Sequence, residues 1–215
     1  MKIKIDPIVF QKFHPKLRIA FFHAAGIDNK SKAKEAQHLL KEIEKIVLLT
    51  SNKKNFKSEL LLEPWAVAKQ EFGKKAHHYH TSVEQLLKKV LEHKNVAAKD
   101  TMTSLMHYLA LKHILPMSAD DPSKISGNIT FSVSTKKDDK LKKGELYYHD
   151  AKSVLGTKLD YWKNAKAVLK PSSRSALAHI EFLPPVSLQK QKEAIAEMTE
   201  LLKTFCGGKV KVAVL

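Results

Sequence analysis

The sequence predicts an α+β fold: a single domain over residues 1–215 with a mixed sheet flanked by helices. Three observations predict it. Apolar residues recur at helical spacing through much of the first half, they recur at intervals of two in most of the second, and the helical and extended blocks are unequal rather than regularly alternating. A hydrophobic content of 43% over 215 residues is enough to bury a sizeable core.

Ile3 and Ile5, then Leu17, Ile19 and Phe21 after Pro15, are spaced by two and read as two strands. Between residues 31 and 50, Ala36, Leu39, Leu40, Ile43, Ile46 and Val47 form one apolar stripe of a helix. A polar stretch interrupts it, and Pro64 suits the first turn of a second helix running towards Phe72 and Gly73. Thr81 with Glu84 three residues on has the form of a capping box, backed by Val83, Leu86, Leu87, Val90 and Leu91. Met102, Leu105, Met106 and Leu109 mark another helix, which ends before Pro116 because the residue preceding proline is pushed out of the α region.

The period then changes. Ile129, Phe131 and Val133 alternate with polar partners in a half-buried strand, the charged segment 136–144 reads as an exposed turn, and residues 145–149, 158–169 and 175–183 read as extended. Ser187 caps a last helix with Ile195, Met198, Leu201, Leu202 and Phe205 on its buried face. Gly207 and Gly208 stop it, and residues 209–215 alternate as a closing strand.

Lysine and arginine number 38 against 22 acidic residues, a net charge of +16 that draws polyanions. Nearly all of it is lysine, Arg18 and Arg174 being the only arginines, so phosphate tracking and recognition of shape are favoured over base reading. Lys88, Lys89, Lys142, Lys143, Lys158, Lys163 and Arg174 are the candidate RNA contacts. Tyr147, Tyr148, Tyr161 and Trp162 lie among these cations, where they serve either as core or as stacking platforms for bases.

The single cysteine, Cys206, excludes an intrachain disulfide and a paired-cysteine zinc site. With no apolar leader in residues 1–10 and no long apolar run, the expectation is a cytoplasmic protein that makes no membrane contact. His77, His78 and His80 are spaced poorly for a metal and read as a solvated loop. No phosphate-binding glycine loop and no G-x-S-x-G elbow occurs, so neither a cofactor nor a metal is expected.

The run Leu115-Pro116-Met117-Ser118-Ala119-Asp120-Asp121-Pro122-Ser123-Lys124-Ile125-Ser126-Gly127 is similar to a signature of the B3/B4 domain of the phenylalanyl-tRNA synthetase β subunit, Q-P-M-H-A-F-D-x-D-K-I-x-G. In that family it follows a helix with Asn-Tyr, where His107-Tyr108 stand here, and leads into a strand. Residues 81–90, Trp65 to Gly73 and Gly144 to Asp150 resemble segments of free-standing B3/B4 proteins in the same order. The resemblance is clearest over residues 60–206, with a weaker echo at 1–29.

Membership would imply a domain whose pocket hydrolyses the ester of tRNA mischarged with tyrosine, acting here in trans, or one that only binds tRNA. By the same resemblance Ser118 stands where the family has a pocket histidine and Asp121 keeps its aspartate. Glu181 in Ile180-Glu181-Phe182 matches a glutamate that recognises the tyrosine hydroxyl, and His107 replaces the helix asparagine. Ser118, Asp121, Glu181 and His107 are thus the candidate catalytic set. The expected partner is the tRNA acceptor end, with a monomer as the default state. Three functions stay open: an aminoacyl-tRNA deacylase, a non-catalytic RNA-binding module, and an amino-acid-binding or protein-interaction domain.

Overall fold

The computed structural model describes residues 1–51, 81–135, 141, 143–157 and 162–215. Its strands form two sheets. The mixed sheet expected from the sequence has five strands: β1 (Ile3–Ile5), β4 (Ile129–Val133), β5 (Leu146–His149), β6 (Val154–Thr157) and β7 (Trp162–Lys163), in that order, with β1 parallel to β4 and the other pairs antiparallel. Beside it stands a wholly antiparallel sheet in the order β3 (Met117–Asp120), β8 (Ser175–Phe182), β2 (Arg18–Ala25) and β9 (Lys209–Val214).

Over β3, β8 and most of β2 this second sheet is covered on both faces, while β9 is largely exposed. Ala20, Phe22, Ala24, Ala178, Ile180 and Phe182 point into a core shared with the helices, while Ile19, Phe21 and Leu177 point the other way, onto Phe131, Val133, Leu146 and Tyr148 of the five-stranded sheet. Seven of the eight β8 residues are therefore buried, the pattern of a strand packed on both sides. Each fully buried large side chain, such as Phe22 or Phe182, stabilises the fold by about 1.5–3 kcal/mol through the water it leaves.

Among the described residues the helices are α1 (Pro7–Lys12), α2 (Ala33–Thr50), α3 (Ser82–Leu91), α4 (Thr101–His113) and α5 (Leu188–Leu201), the last running into a π-turn, Leu202–Cys206. Thr81 caps α3 as its motif requires, its Oγ accepting from the Glu84 N–H at 3.3 Å. Asp100 does the same for α4 through the Thr103 N–H at 2.9 Å. Gly208, at φ +76°, brings its backbone so close to β2 that a Cβ there would lie 2.4 Å from the Ala25 carbonyl oxygen, so only glycine fits.

Four segments depart from the sequence expectation. Short helix α1 and strand β3 form where the sequence suggested no element, and β6 adds a strand before residue 158. The segment 158–169 is not one extended piece: its described part is the two-residue β7 followed by a 3₁₀ turn at Ala165–Ala167. The helix expected from Pro64, the three clustered histidines, Tyr161, Lys142 and Lys158 lie outside the described residues, as does most of the turn expected at 136–144. Among the described residues no helix is long and apolar enough to cross a membrane.

Candidate functional site

The pairing of β3 with β8 builds the site. Their register sets Ser118 opposite His179 and Asp120 opposite Leu177, and Glu181 lies two residues along β8 on the same face as His179. That face looks at the five-stranded sheet. From there the Tyr148 hydroxyl donates to Asp120 Oδ2 at 2.8 Å, and Lys163 Nζ reaches across from β7. Lys163 donates to Ser118 Oγ at 2.7 Å and to the Ala119 carbonyl, and it pairs with Asp120 Oδ1 at 3.3 Å.

Charge burial explains this arrangement. The Asp120 side chain is only 2% exposed, and a carboxylate taken out of water needs a counter-ion and hydrogen bonds, which Lys163 and Tyr148 supply. His179 sits edge-on to the rings of Tyr148, Phe131 and Phe21, at centroid distances of 5.2, 5.4 and 6.3 Å. Burial among these rings pushes its pKa down to about 3, with the Lys163 charge acting in the same direction. His179 is thus a neutral imidazole, its Nε2 3.4 Å from Glu181 Oε1. Lys163 Nζ donates to Ser118 Oγ and to the Ala119 carbonyl and pairs with Asp120, so it is not placed to take the Ser118 proton and activate it as a nucleophile.

A pocket of about 180 Å³ opens along the free edge of β3, lined by Ser82, Met106, His107, Met117, Ser118 and Lys163 among others. The Glu181 N–H donates to the Pro116 carbonyl, which fixes the phase of the ladder: Ser118 and Asp120 exchange bonds with β8, while Met117 and Ala119 turn their backbone groups outward. Ser82 Oγ meets both the Met117 N–H, at 3.3 Å, and the Met117 carbonyl, at 3.4 Å. Beyond it Ala119 lines the pocket, and the ladder phase turns its N–H away from β8 on the same side as the carbonyl that accepts from Lys163. This edge thus presents an amide N–H, a hydroxyl and a cation to one small space.

Of the candidate catalytic residues, Ser118 lines this pocket and His107 lines it from α4. His107 Nδ1 donates to the Val96 carbonyl at 2.8 Å, which leaves the lone pair on Nε2. Burial lowers the His107 pKa, partly opposed by the Val96 bond and reinforced by the nearby Lys89. Glu181 is fully buried in the cluster between the sheets and is not part of the pocket lining. Asp121 is outside both. Its Oδ1 accepts from the Ser123 N–H and hydroxyl at 3.0 and 2.7 Å and its Oδ2 from the Ser173 hydroxyl at 2.6 Å, so that it pins the turn at Pro122–Lys124. Burial raises the Asp121 pKa, and these serine bonds more than offset it, leaving it below the usual carboxylate range.

Among the candidate RNA contacts, Lys88 and Lys89 are exposed on the last turn of α3, and Lys143 and Arg174 are exposed elsewhere. Lys163 is turned into the site instead. Sequence reasoning missed Asp120 and His179, and it named Tyr148 only as a core or stacking aromatic, not as the partner of Asp120. The signal for His179 was its two-residue spacing from Glu181, which puts both on one face of a strand. Among the described residues no group of three histidine, cysteine, aspartate or glutamate side chains could hold a metal. Cys206 is buried, and burial pushes its thiol up to about 12.

Fold and site together define an α+β domain of two sheets with a buried ionic cluster between them and a small polar-edged pocket beside it. No family model matches the sequence, and no curated protein matches it. The fold is similar to that of an N-terminal fragment of the phenylalanyl-tRNA synthetase β subunit from Pyrococcus horikoshii, with a TM-score of 0.50 and 11% identity, over 97% of this chain and 50% of that one. The chain therefore spans about half the length of that fragment, and the likeness is one of fold.

Proposed function

We propose that the chain is one tRNA-binding domain of the B3/B4 type, acting in the cytoplasm, whose pocket at the β3 edge takes the aminoacyl ester of the acceptor end and hydrolyses it in trans. The observation that carries this reading is the convergence of the Ser118 hydroxyl and the Ala119 N–H on the pocket beside the positive charge of Lys163, whose own N–H groups are engaged by Ser118, Ala119 and Asp120, so that two donors and a nearby cation would meet the negative charge developing on an ester carbonyl. The net charge of +16 and the similarity of fold support the tRNA as the carrier of that ester.

The chemistry needs no covalent intermediate. A water oxygen attacks the ester carbon and gives its proton to His107 Nε2, while the carbonyl oxygen takes negative charge against the donors. The intermediate then expels the ribose hydroxyl oxygen, which takes the proton back from His107. Asp120 holds Lys163 in place, and Asp121 only pins the neighbouring turn.

Binding without hydrolysis is the second reading, favoured by the buried, weakly basic His107 and by Ser118 where the family has a histidine. Purified protein incubated with a panel of misacylated tRNAs decides between them. Faster loss of at least one ester than in buffer supports the hydrolase, and binding of tRNA with every ester intact supports the module.

A further inference from the structure

The outer face of the five-stranded sheet is unlike its inner one. Strand alternation sends Phe131, Leu146 and Tyr148 inward to the core, and it sends Tyr147 and His149 of β5 outward. Register then carries the outward row across the sheet: Ser132 lies opposite Tyr147, Tyr147 opposite Thr157, and Thr157 opposite Trp162. One strand further, Lys4 of β1 is level with Thr130, which is opposite His149. Tyr147 and His149 stack on each other at a centroid distance of 5.6 Å and an interplanar angle of 26°, and Trp162 is 42% exposed at the end of the row. The described helices that flank the four-stranded sheet leave β5, β6 and β7 without a helix packed across them.

A single exposed tryptophan is ordinary; three aromatic or imidazole rings in one sheet face with cations around them are not. Lys2 just before β1, Lys4 on β1, and Lys143 and Lys152 on the turns that flank β5 are exposed. The acidic groups nearby are already committed. Asp6 accepts from the Ile8 N–H and the Ser132 hydroxyl. Asp150 accepts from the backbone N–H groups of Ser126, Lys152 and Ser153 and from Lys166, and Glu145 is buried. Among the described residues this face, on which Ser132 and Thr157 are buried and Tyr147 and His149 are part-exposed, combines rings with lysines whose acidic neighbours are already engaged, which is the chemistry that holds unpaired nucleotides: bases stack on the rings and phosphates follow the lysines.

We propose that the outer face of the five-stranded sheet, centred on Tyr147, His149 and Trp162, binds single-stranded RNA by stacking its bases. This surface lies on the opposite side of the sheet from Lys163 and the pocket, and it stands whether or not the pocket hydrolyses an ester.

The test is fluorescence anisotropy of the full chain with a labelled single-stranded 12-nucleotide RNA and with a blunt duplex of the same sequence, at about 100 mM salt so that charge alone does not dominate. Trp162→Ala and Tyr147→Ala are each expected to weaken binding of the single strand by about tenfold, the loss of one base stack. Trp162→Phe and Tyr147→Phe, which keep a ring, are expected to retain most of the affinity, and duplex binding should change little. Trp162 is exposed and tolerates truncation, so a folding defect in the Tyr147 variant leaves the Trp162 pair to decide. Equal single-strand binding by wild type and both alanine variants would overturn the proposal. So would a wild-type chain that self-associates in sedimentation while Trp162→Ala does not, with RNA binding unaltered, because the face would then join copies of the chain. Absence of ester hydrolysis together with Trp162-dependent RNA binding would remove the pocket reading and leave this one standing.

Discussion

Lys163 reaches from the edge strand of one sheet to Ser118 on the edge strand of the other, Nζ to Oγ in 2.7 Å, and in doing so it places a cation against Asp120 in the space between the sheets. This contact ties the two sheets together and sets the polarity of the pocket beside them. Its removal leaves Asp120 buried with Tyr148 as its remaining hydrogen-bond donor among the described residues. Because Asp120 is almost fully buried and Lys163 one-fifth exposed, Lys163→Met is expected to cost about 3 kcal/mol in urea denaturation. The double variant with Asp120→Asn should recover part of that loss. A single-variant loss below about 0.5 kcal/mol would mean that the pair behaves as a surface ion pair.

His179 links stability to pH. Its folded-state pKa, pushed down to about 3, lies below the ordinary value of 6.5, so the unfolded chain binds the proton more readily. Stability from this group is therefore complete above pH 6.5 and falls as the pH drops towards 3, by at most about 1.4 kcal/mol per pH unit. Urea midpoints for wild type between pH 7 and pH 5 should decline more steeply than those for His179→Gln. Parallel declines would remove His179 as the source.

Asp121 should prove structural. Asp121→Ala removes three hydrogen bonds from Ser123 and Ser173 and is expected to lower stability by about 1–2 kcal/mol while leaving tRNA affinity and the rate of ester loss near wild type. A selective fall in rate with stability intact would return Asp121 to the catalytic set.

Much of this architecture is legible in the sequence where one face of an element is wet. The stripes of α2 and α3 and the Thr81 cap mark their elements because solvent writes polar residues on the other side, while β4 alternates although Ser132 is buried, its hydroxyl bonded to Asp6. Met117–Asp120 is covered on both faces and only four residues long, so it carries no alternation and its strand character is set by pairing with β8, far along the chain. The same double coverage hides His179. Asp121 entered the candidate set through the resemblance, as the family's retained aspartate, whereas its two serine partners, one of them fifty-two residues away, hold it as a brace. The aromatic segments around β5 and β7 could be sorted into core and surface only once the register was known, Tyr148 going inward and Tyr147 and Trp162 outward.

The most direct test of the pocket's role is the single-turnover rate of ester loss from a panel of misacylated tRNAs, tyrosine-mischarged tRNA among them, with wild type, Ser118→Ala and His107→Gln, with tRNA affinity measured in parallel. The expected result is hydrolysis by wild type, a fall of about a hundredfold in rate for His107→Gln and a smaller fall for Ser118→Ala, with affinity for tRNA unchanged. Rates equal to buffer for wild type with every mischarged tRNA offered, or equal rates for all three proteins, would contradict it.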